Sequence, residues 1–111
     1  MKYCNILQMD QENIKEILEL AIPIEQMADG LFLQKGVGLT AALIYLGVRL
    51  NPTRSYRTQR DIADVCRITE VTLRNNYKLI LNGLKIEKKH IEQGIYTIGD
   101  IVSGAYKNEK E

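Results

Sequence analysis

Apolar residues recur at helical spacing near the start of the chain. Ile14, Ile17, Leu18 and Ala21 fall three and four apart behind Asp10, a helix-capping residue type, and Glu12 and Glu16 sit near the positive end of the dipole that such a helix creates. The pattern predicts an amphipathic helix beginning at Gln11. Pro23 removes a backbone donor, so this helix either kinks there or stops and restarts with Pro23 in its first turn. Met27 and Leu31 continue the apolar side, and Gly30 is a natural stop.

The pattern changes in "VGLTAALIYLGVRL", residues 37–50, where only Thr40 and Arg49 are clearly polar. A helix apolar on every face is a buried central helix, and this run is shorter than the roughly 20 residues that cross a bilayer. Gly38, Ala41, Ala42 and Gly47 mark places where neighbouring helices come close to its backbone. "RLNPTRSYRT" then breaks the periodicity with the turn formers Asn51, Pro52 and Ser55 and predicts a loop carrying Arg54 and Arg57.

From Thr58 onward the signals sharpen. Thr58 with Asp61 three residues on is a capping box that starts a short helix through Ile62, Ala63, Val65 and Cys66. After Arg67 and Ile68, Thr69 caps a second helix running to about Leu81, with Gly83 as its terminator. Two helices joined by so short a turn cross steeply, which is helix-turn-helix geometry over about residues 58–81. Beyond it, Ile86, Ile91, Ile95, Tyr96, Thr97 and Ile98 around Gly94 suit a short β-hairpin or irregular structure better than a continued helix, and "KNEKE" frays. The expected fold is mainly α: a helical domain over residues 1–83 and a C-terminal extension over residues 84–111.

Composition narrows the chemistry. With 111 residues, 45% hydrophobic and 26% charged, the chain has the make-up of one ordinary soluble domain whose core needs no disulfide or metal. Cys4 and Cys66 lie far apart, His90 is the sole histidine and sits in the charged stretch "EKKHIEQ", and no CxxC or HxxxH spacing occurs. Two ordinary thiols are expected, with no metal and no cofactor. Nothing resembles a glycine-rich phosphate loop or a nucleophile with its base, so no catalytic residue is assigned and the chain is not expected to be an enzyme. The start, "MKYCNILQMDQ", is too polar for a signal peptide. Together with free cysteines this points to an intracellular protein without membrane contact, of the cytoplasm or nucleoid in an archaeal setting and of the nucleus in a eukaryotic one.

Net charge is +1, which selects no partner, but its distribution is uneven. Residues 1–29 are acidic, residues 30–60 carry Lys35, Arg49, Arg54, Arg57 and Arg60 with no acid, and residues 91–111 are acidic again. The central basic patch attracts phosphate; a solvated arginine-rich loop is the plainer alternative. On the helix after Thr69, Leu73, Tyr77 and Ile80 form an inward stripe, while Val71, Arg74, Asn75 and Lys78 share a different face. That face suits a major groove: arginine donates twice to guanine, valine meets a thymine methyl, and asparagine and lysine reach adenine or phosphate. Any exposed helix face can also carry such residues without reading DNA.

Two phrases carry a family resemblance. "GLTAALIYLG" and "YRTQRDIADVCRITEVTLRNNYKLIL" are similar to the second cyclin-like repeat of the transcription factor IIB family, which includes archaeal transcription factor B. Gly38, Ala41, Ala42 and Tyr45 match its small-residue helix. Arg57, Thr58, Gln59, Asp61, Ile62, Ala63, Asp64 and Val65 match its R-T-Q-x-[DE]-I-A-[DE] stretch. Thr69, Glu70, Val71, Thr72, Leu73, Arg74, Asn75 and Tyr77 match its T-E-V-T-[IL]-R-N-x-Y phrase, and the similarity covers residues 35–81. It implies a five-helix repeat ending in a helix-turn-helix, seated beside the TATA-binding protein on double-stranded promoter DNA and entering the major groove upstream of the TATA box. Carried over, Val71, Thr72 and Arg74 are the base-reading positions and the helix start at Thr58 and Gln59 faces phosphates; the basic flank adds Arg54, Arg57 and Arg60, and the exposed helix face adds Asn75 and Lys78, as phosphate-contacting candidates.

The chain also departs from that family. Arg67 stands in the turn where a small residue, often glycine, is usual, and Gly36 replaces a proline before the central helix. The full factor has a zinc ribbon and two repeats, so one repeat without a ribbon reads as a piece of a factor or a stand-alone relative. Two other functions compete with promoter binding. One is a cyclin-like protein-interaction module or decoy with weak DNA contact; the other is a winged-helix repressor, if residues 84–98 form a hairpin wing.

Overall fold

Among the described residues, 2–30, 36–51 and 57–104, the computed structural model contains helices and no strand. They are α1 (Lys2–Ile6), α2 (Gln11–Gly30), α3 (Val37–Leu50), α4 (Gln59–Cys66), α5 (Glu70–Leu84), α6 (Lys88–Glu92) and α7 (Ile98–Ser103).

Asp10 starts α2 as its residue type predicts: its carboxylate accepts from the backbone N–H of Glu12 at 2.8 Å and of Asn13 at 3.4 Å. The helix does not restart at Pro23 but runs through it to Gly30. Its inward line is Ile14, Ile17, Leu20 and Ile24, all buried, while Leu18 is 47% exposed. Leu18 follows Ile17 by one residue, about 100° around the helix, which turns it off the core-facing line.

Helix α3 is the hub, packed against α2, α4, α5 and α6. Every residue from Ala41 to Val48 is buried. The small residues perform the expected task at two ends of the helix. A Cβ on Gly47 would overlap the Ile17 side chain of α2, and one on Gly38 would come within 2.8 Å of Asn76 Nδ2 on α5. Glycine is what lets both neighbours lie against the hub.

Three helices end on a non-glycine residue in the left-handed region: Gln8 after α1, Arg67 after α4 and Lys85 after α5. Each makes the paired backbone bonds of a Schellman turn; for α4 these run from Arg67 N–H to Asp64 O at 3.2 Å and from Ile68 N–H to Ala63 O at 3.0 Å. The small residue usual at position 67 thus has a physical reason, and Arg67 adopts the same φ of 58° at a steric cost of about 1 kcal/mol.

Past α5 the expectation of a β-hairpin or irregular structure is overturned. Gly83 does not terminate α5, because Leu84 extends the buried line of Leu73, Tyr77 and Ile80 and carries the helix one residue past the glycine. Lys85 then turns the chain so that Ile86 is buried, and α6 and α7 follow. Thr97 and Asp100 form a capping box with the same spacing as Thr58 and Asp61, which makes α7 helical despite its isoleucine-rich lead-in. Ile91, Tyr96, Ile98 and Ile101 join the main core, and α7 packs on α2. Residues 83 and 84 are the last two of α5, and among the described residues no strand forms a hairpin wing. The frayed tail of the sequence reading lies outside the described residues.

Cys4 and Cys66 are both buried free thiols. Burial pushes the Cys4 thiol from 9.0 up to about 11, and burial raises Cys66 and the Tyr77 hydroxyl as well. Below pH 9.0 these groups are protonated both folded and unfolded. Above it the unfolded chain releases protons that the folded chain retains, so stability falls as pH rises. Melting temperature is expected to decline between pH 9.0 and about 11, with a shallower decline in Cys4→Ala.

Candidate nucleic-acid interface

The first turn of α5 is fixed by Thr69. Its hydroxyl accepts from the Thr72 backbone N–H at 3.0 Å and donates to the Thr72 hydroxyl at 2.9 Å. Asn76 adds a second local tie, its Nδ2 donating to the Thr72 carbonyl at 2.9 Å. With Leu73, Tyr77 and Ile80 buried, Val71, Arg74, Asn75 and Lys78 all project to solvent on another face. Val71 is 55% exposed, unusual for a valine, and Thr72 is exposed beside it.

Arg74 is not left to wander. Its Nη1 donates to Gln59 Oε1 at 3.4 Å, and Gln59 Nε2 donates to the Tyr45 hydroxyl at 3.1 Å. Tyr45 comes from the hub helix and meets Tyr77 edge-to-face, with ring centroids 4.8 Å apart and planes at 71°. The contacts link α3, α4 and α5 around a single guanidinium. The family resemblance marks Gln59 as a phosphate contact and gives no sign of its bridging role.

The remaining phosphate candidates separate by what they already hold. Arg60 is exposed, and its ion pair with Asp64 at 4.0 Å joins two side chains each more than two-thirds exposed, an interaction of about 0.3–0.5 kcal/mol that leaves the guanidinium easily recruited. Asn75 and Lys78 are likewise exposed on α5. Thr58 is spent on its capping box: the hydroxyl accepts from Asp61 N–H and the backbone N–H donates to the Asp61 carboxylate, both at 3.1 Å. Those bonds hold the Asp61 carboxyl below its ordinary range, with Arg57 and Arg60 adding to the effect.

Arg57 turns inward. Its Nε and Nη2 donate to the Leu7 carbonyl at 2.9 and 2.7 Å, and Nη2 also reaches the Gln8 carbonyl at 3.1 Å. The guanidinium thereby caps the carboxyl end of α1 from the doorstep of the helix-turn-helix. Arg54 lies outside the described residues.

Beside the first turn of α4 opens a cleft of about 290 Å³ with Arg49, Arg57 and Arg60 on its walls and Glu70 as the acid among them. Arg49, which the sequence places in the central helix and in the basic middle of the chain, also pairs with Glu92 of α6 at 3.7 Å. Among the described residues no three His, Cys, Asp or Glu side chains come together as a metal site, and no helix is long and apolar enough to cross a membrane.

Similarity to known proteins supports a specific family. The model for the transcription factor TFIIB repeat matches residues 4–83. Transcription initiation factor IIB of Methanothermococcus thermolithotrophicus is 44% identical over 75 residues, which cover 65% of this chain and 22% of that protein. Its counterpart from Sulfurisphaera tokodaii is 42% identical over 73 residues, 63% and 23% of the two chains. Transcription initiation factor IIB 1 of Thermoplasma volcanium is 36% identical over 86 residues, 77% and 26%. The chain thus spans about a quarter of the length of these curated relatives. No solved structure matches. The relatives are transcription initiation factors and not enzymes, and the matched span is wider than the phrases around the central helix and helix-turn-helix, taking in most of α1 and all of α2. From Cys4 in α1 to Gly83 in α5, the chain belongs to the transcription factor TFIIB repeat family, a mainly α, cyclin-like fold.

Proposed function

We propose that the α4–α5 pair binds promoter DNA in the major groove upstream of a TATA box, alongside the TATA-binding protein. Val71 and Arg74, with Thr72 beside them, read bases, and Arg60, Asn75 and Lys78 hold phosphates. The observation that carries this reading is the arrangement of α5. Its amino-terminal half presents Val71, Arg74 and Asn75 to solvent on one face while the buried line of Leu73, Tyr77 and Ile80 anchors the other. A recognition helix enters the groove by that end, and arginine paired to guanine is the commonest specific contact. Thr58, Gln59 and Arg57 contribute by fixing helices rather than by leading the contact with phosphate, since their polar atoms already serve internal partners.

Titration of labelled duplexes with and without an upstream recognition element, in the presence and absence of the TATA-binding protein, tests the reading. Arg74→Ala is expected to cost about 1–3 kcal/mol on the preferred duplex and to flatten sequence preference. Lys78→Ala and Arg60→Ala are expected to weaken all duplexes alike and to lower the salt slope by about one each. Equal loss on every sequence from Arg74→Ala would defeat its base-reading role. Capture of the TATA-binding protein at high salt after nuclease treatment, with no preference among duplexes, would favour a protein-interaction module instead.

A further inference from the structure

Three side chains from three helices meet in series: Tyr45 on α3, Gln59 at the first position of α4 and Arg74 on α5. Their chemistry gives the series a direction. A glutamine amide has two nearly equivalent orientations, one presenting oxygen and the other presenting NH₂. Arg74 can only donate, which turns Oε1 of Gln59 toward its guanidinium and leaves Nε2 to donate to the Tyr45 hydroxyl at 3.1 Å. Were the amide reversed, its NH₂ would face a cation that can only donate.

A phenol can donate or accept, so Tyr45 does not choose the orientation; it anchors the amide in place. It is 8% exposed, sits on the hub helix and is braced edge-on by Tyr77 at 4.8 Å. Arg74, in contrast, is exposed, and with Gln59 it borders an open cleft of about 370 Å³ along α5. Packing therefore leaves the guanidinium room to swing, and its 3.4 Å contact with Gln59 is longer than an ordinary N–H···O bond. Such a contact steers the arginine without holding it back from a stronger partner.

We propose that Tyr45 and Gln59 are positioning residues for base recognition: the Tyr45 hydroxyl on the hub helix anchors the amide of Gln59, whose oxygen steers Arg74 toward the groove. Sequence discrimination is then determined in part by a tyrosine on a different helix from the reading face. This inference rests on the base-reading role of Arg74 given above. It adds that the loss of one hydroxyl on the hub helix weakens the preference for that base.

The test compares affinity for two duplexes that differ only at the guanine that Arg74 prefers, measured by fluorescence anisotropy over a salt series. Wild type, Tyr45→Phe, Gln59→Met, Arg74→Ala and the Tyr45→Phe/Arg74→Ala pair are titrated, and each is checked by thermal melting. Tyr45→Phe and Gln59→Met are each expected to lower the discrimination ratio about three- to tenfold, the equivalent of one ordinary hydrogen bond, with the salt slope kept. Tyr45→Phe should remove nothing further once Arg74 is alanine.

Wild-type discrimination in both Tyr45→Phe and Gln59→Met, with discrimination lost in Arg74→Ala, overturns the relay and leaves the base-reading role standing. Unchanged discrimination in Arg74→Ala itself overturns both. A uniform loss on the two duplexes from Gln59→Met, with a lowered salt slope, assigns Gln59 to phosphate and also overturns the relay. If a melting curve shows Tyr45→Phe unfolded, Gln59→Met alone decides, since Gln59 is only partly buried.

Discussion

Leu73→Ala is expected to lose about 2–5 kcal/mol of folding stability, the range for a leucine removed from a site that cannot collapse. Leu73 is fully buried on the inward line of α5, the helix that packs most extensively on the hub among the described residues. Against a total of about 5–15 kcal/mol for an ordinary domain, that is a large share. The loss also has a definite functional signature. Leu73 immediately precedes Arg74 but is turned about 100° from it around the helix, into the core, so the surviving folded fraction should bind with unaltered sequence preference. Urea unfolding followed by circular dichroism reads the first effect, and the duplex discrimination ratio reads the second. An unshifted midpoint would mean that α5 is anchored by something other than its inward line.

Gly47→Val is expected to destabilise by about 3 kcal/mol or more, at the upper end for overpacking. Even a single added methyl at residue 47 would overlap the Ile17 side chain, and the next atom it meets, Ile17 Cδ1, is 2.9 Å away. Ile17 has no room to give: it is fully buried, and β-branching restricts its χ1 within α2. Trimming the obstacle should therefore rescue the lesion. The double variant Ile17→Ala/Gly47→Val is expected to be more stable than Gly47→Val, although Ile17→Ala by itself destabilises. Melting temperatures of the four chains form a double-mutant cycle, and simple additivity would show that the close approach is relieved by backbone movement.

Much of this architecture is legible in the sequence because its signals are local. Asp10, Thr58 and Thr69 each supply a side-chain oxygen where a helix begins, and in each case the bond forms. The apolar hub and the inward line of α5 follow from spacing alone, since periods of three and four leave little choice of face. The misreadings arise where tertiary context decides. Gly83 looks like a stop, yet a buried Leu84 one residue later carries the helix past it. The isoleucines after Leu84 looked like strands because β-branched residues favour extended backbone, while the "TIGD" capping box that makes α7 helical lay unread in the same stretch.

The site divides in the same way. Exposure of Val71, Arg74, Asn75 and Lys78 could be read from the helical face, whereas the inward commitment of Arg57 and Gln59 could not. Both bind partners remote in sequence, one on α1 and one on α3. A basic residue next to a helix-turn-helix gives no hint on paper that a carbonyl-lined helix end lies within its reach.

The Arg57 clamp also has a consequence for the order of events during synthesis. A five-residue helix is far too short to persist in water, so α1 depends on what seats it. Among its seats are bonds that span 50 and 49 residues of chain, from Arg57 back to Leu7 and Gln8. Leu7 and Gln8 must then wait for a guanidinium made about fifty codons after them, and α1 cannot take this seat until the start of α4 exists.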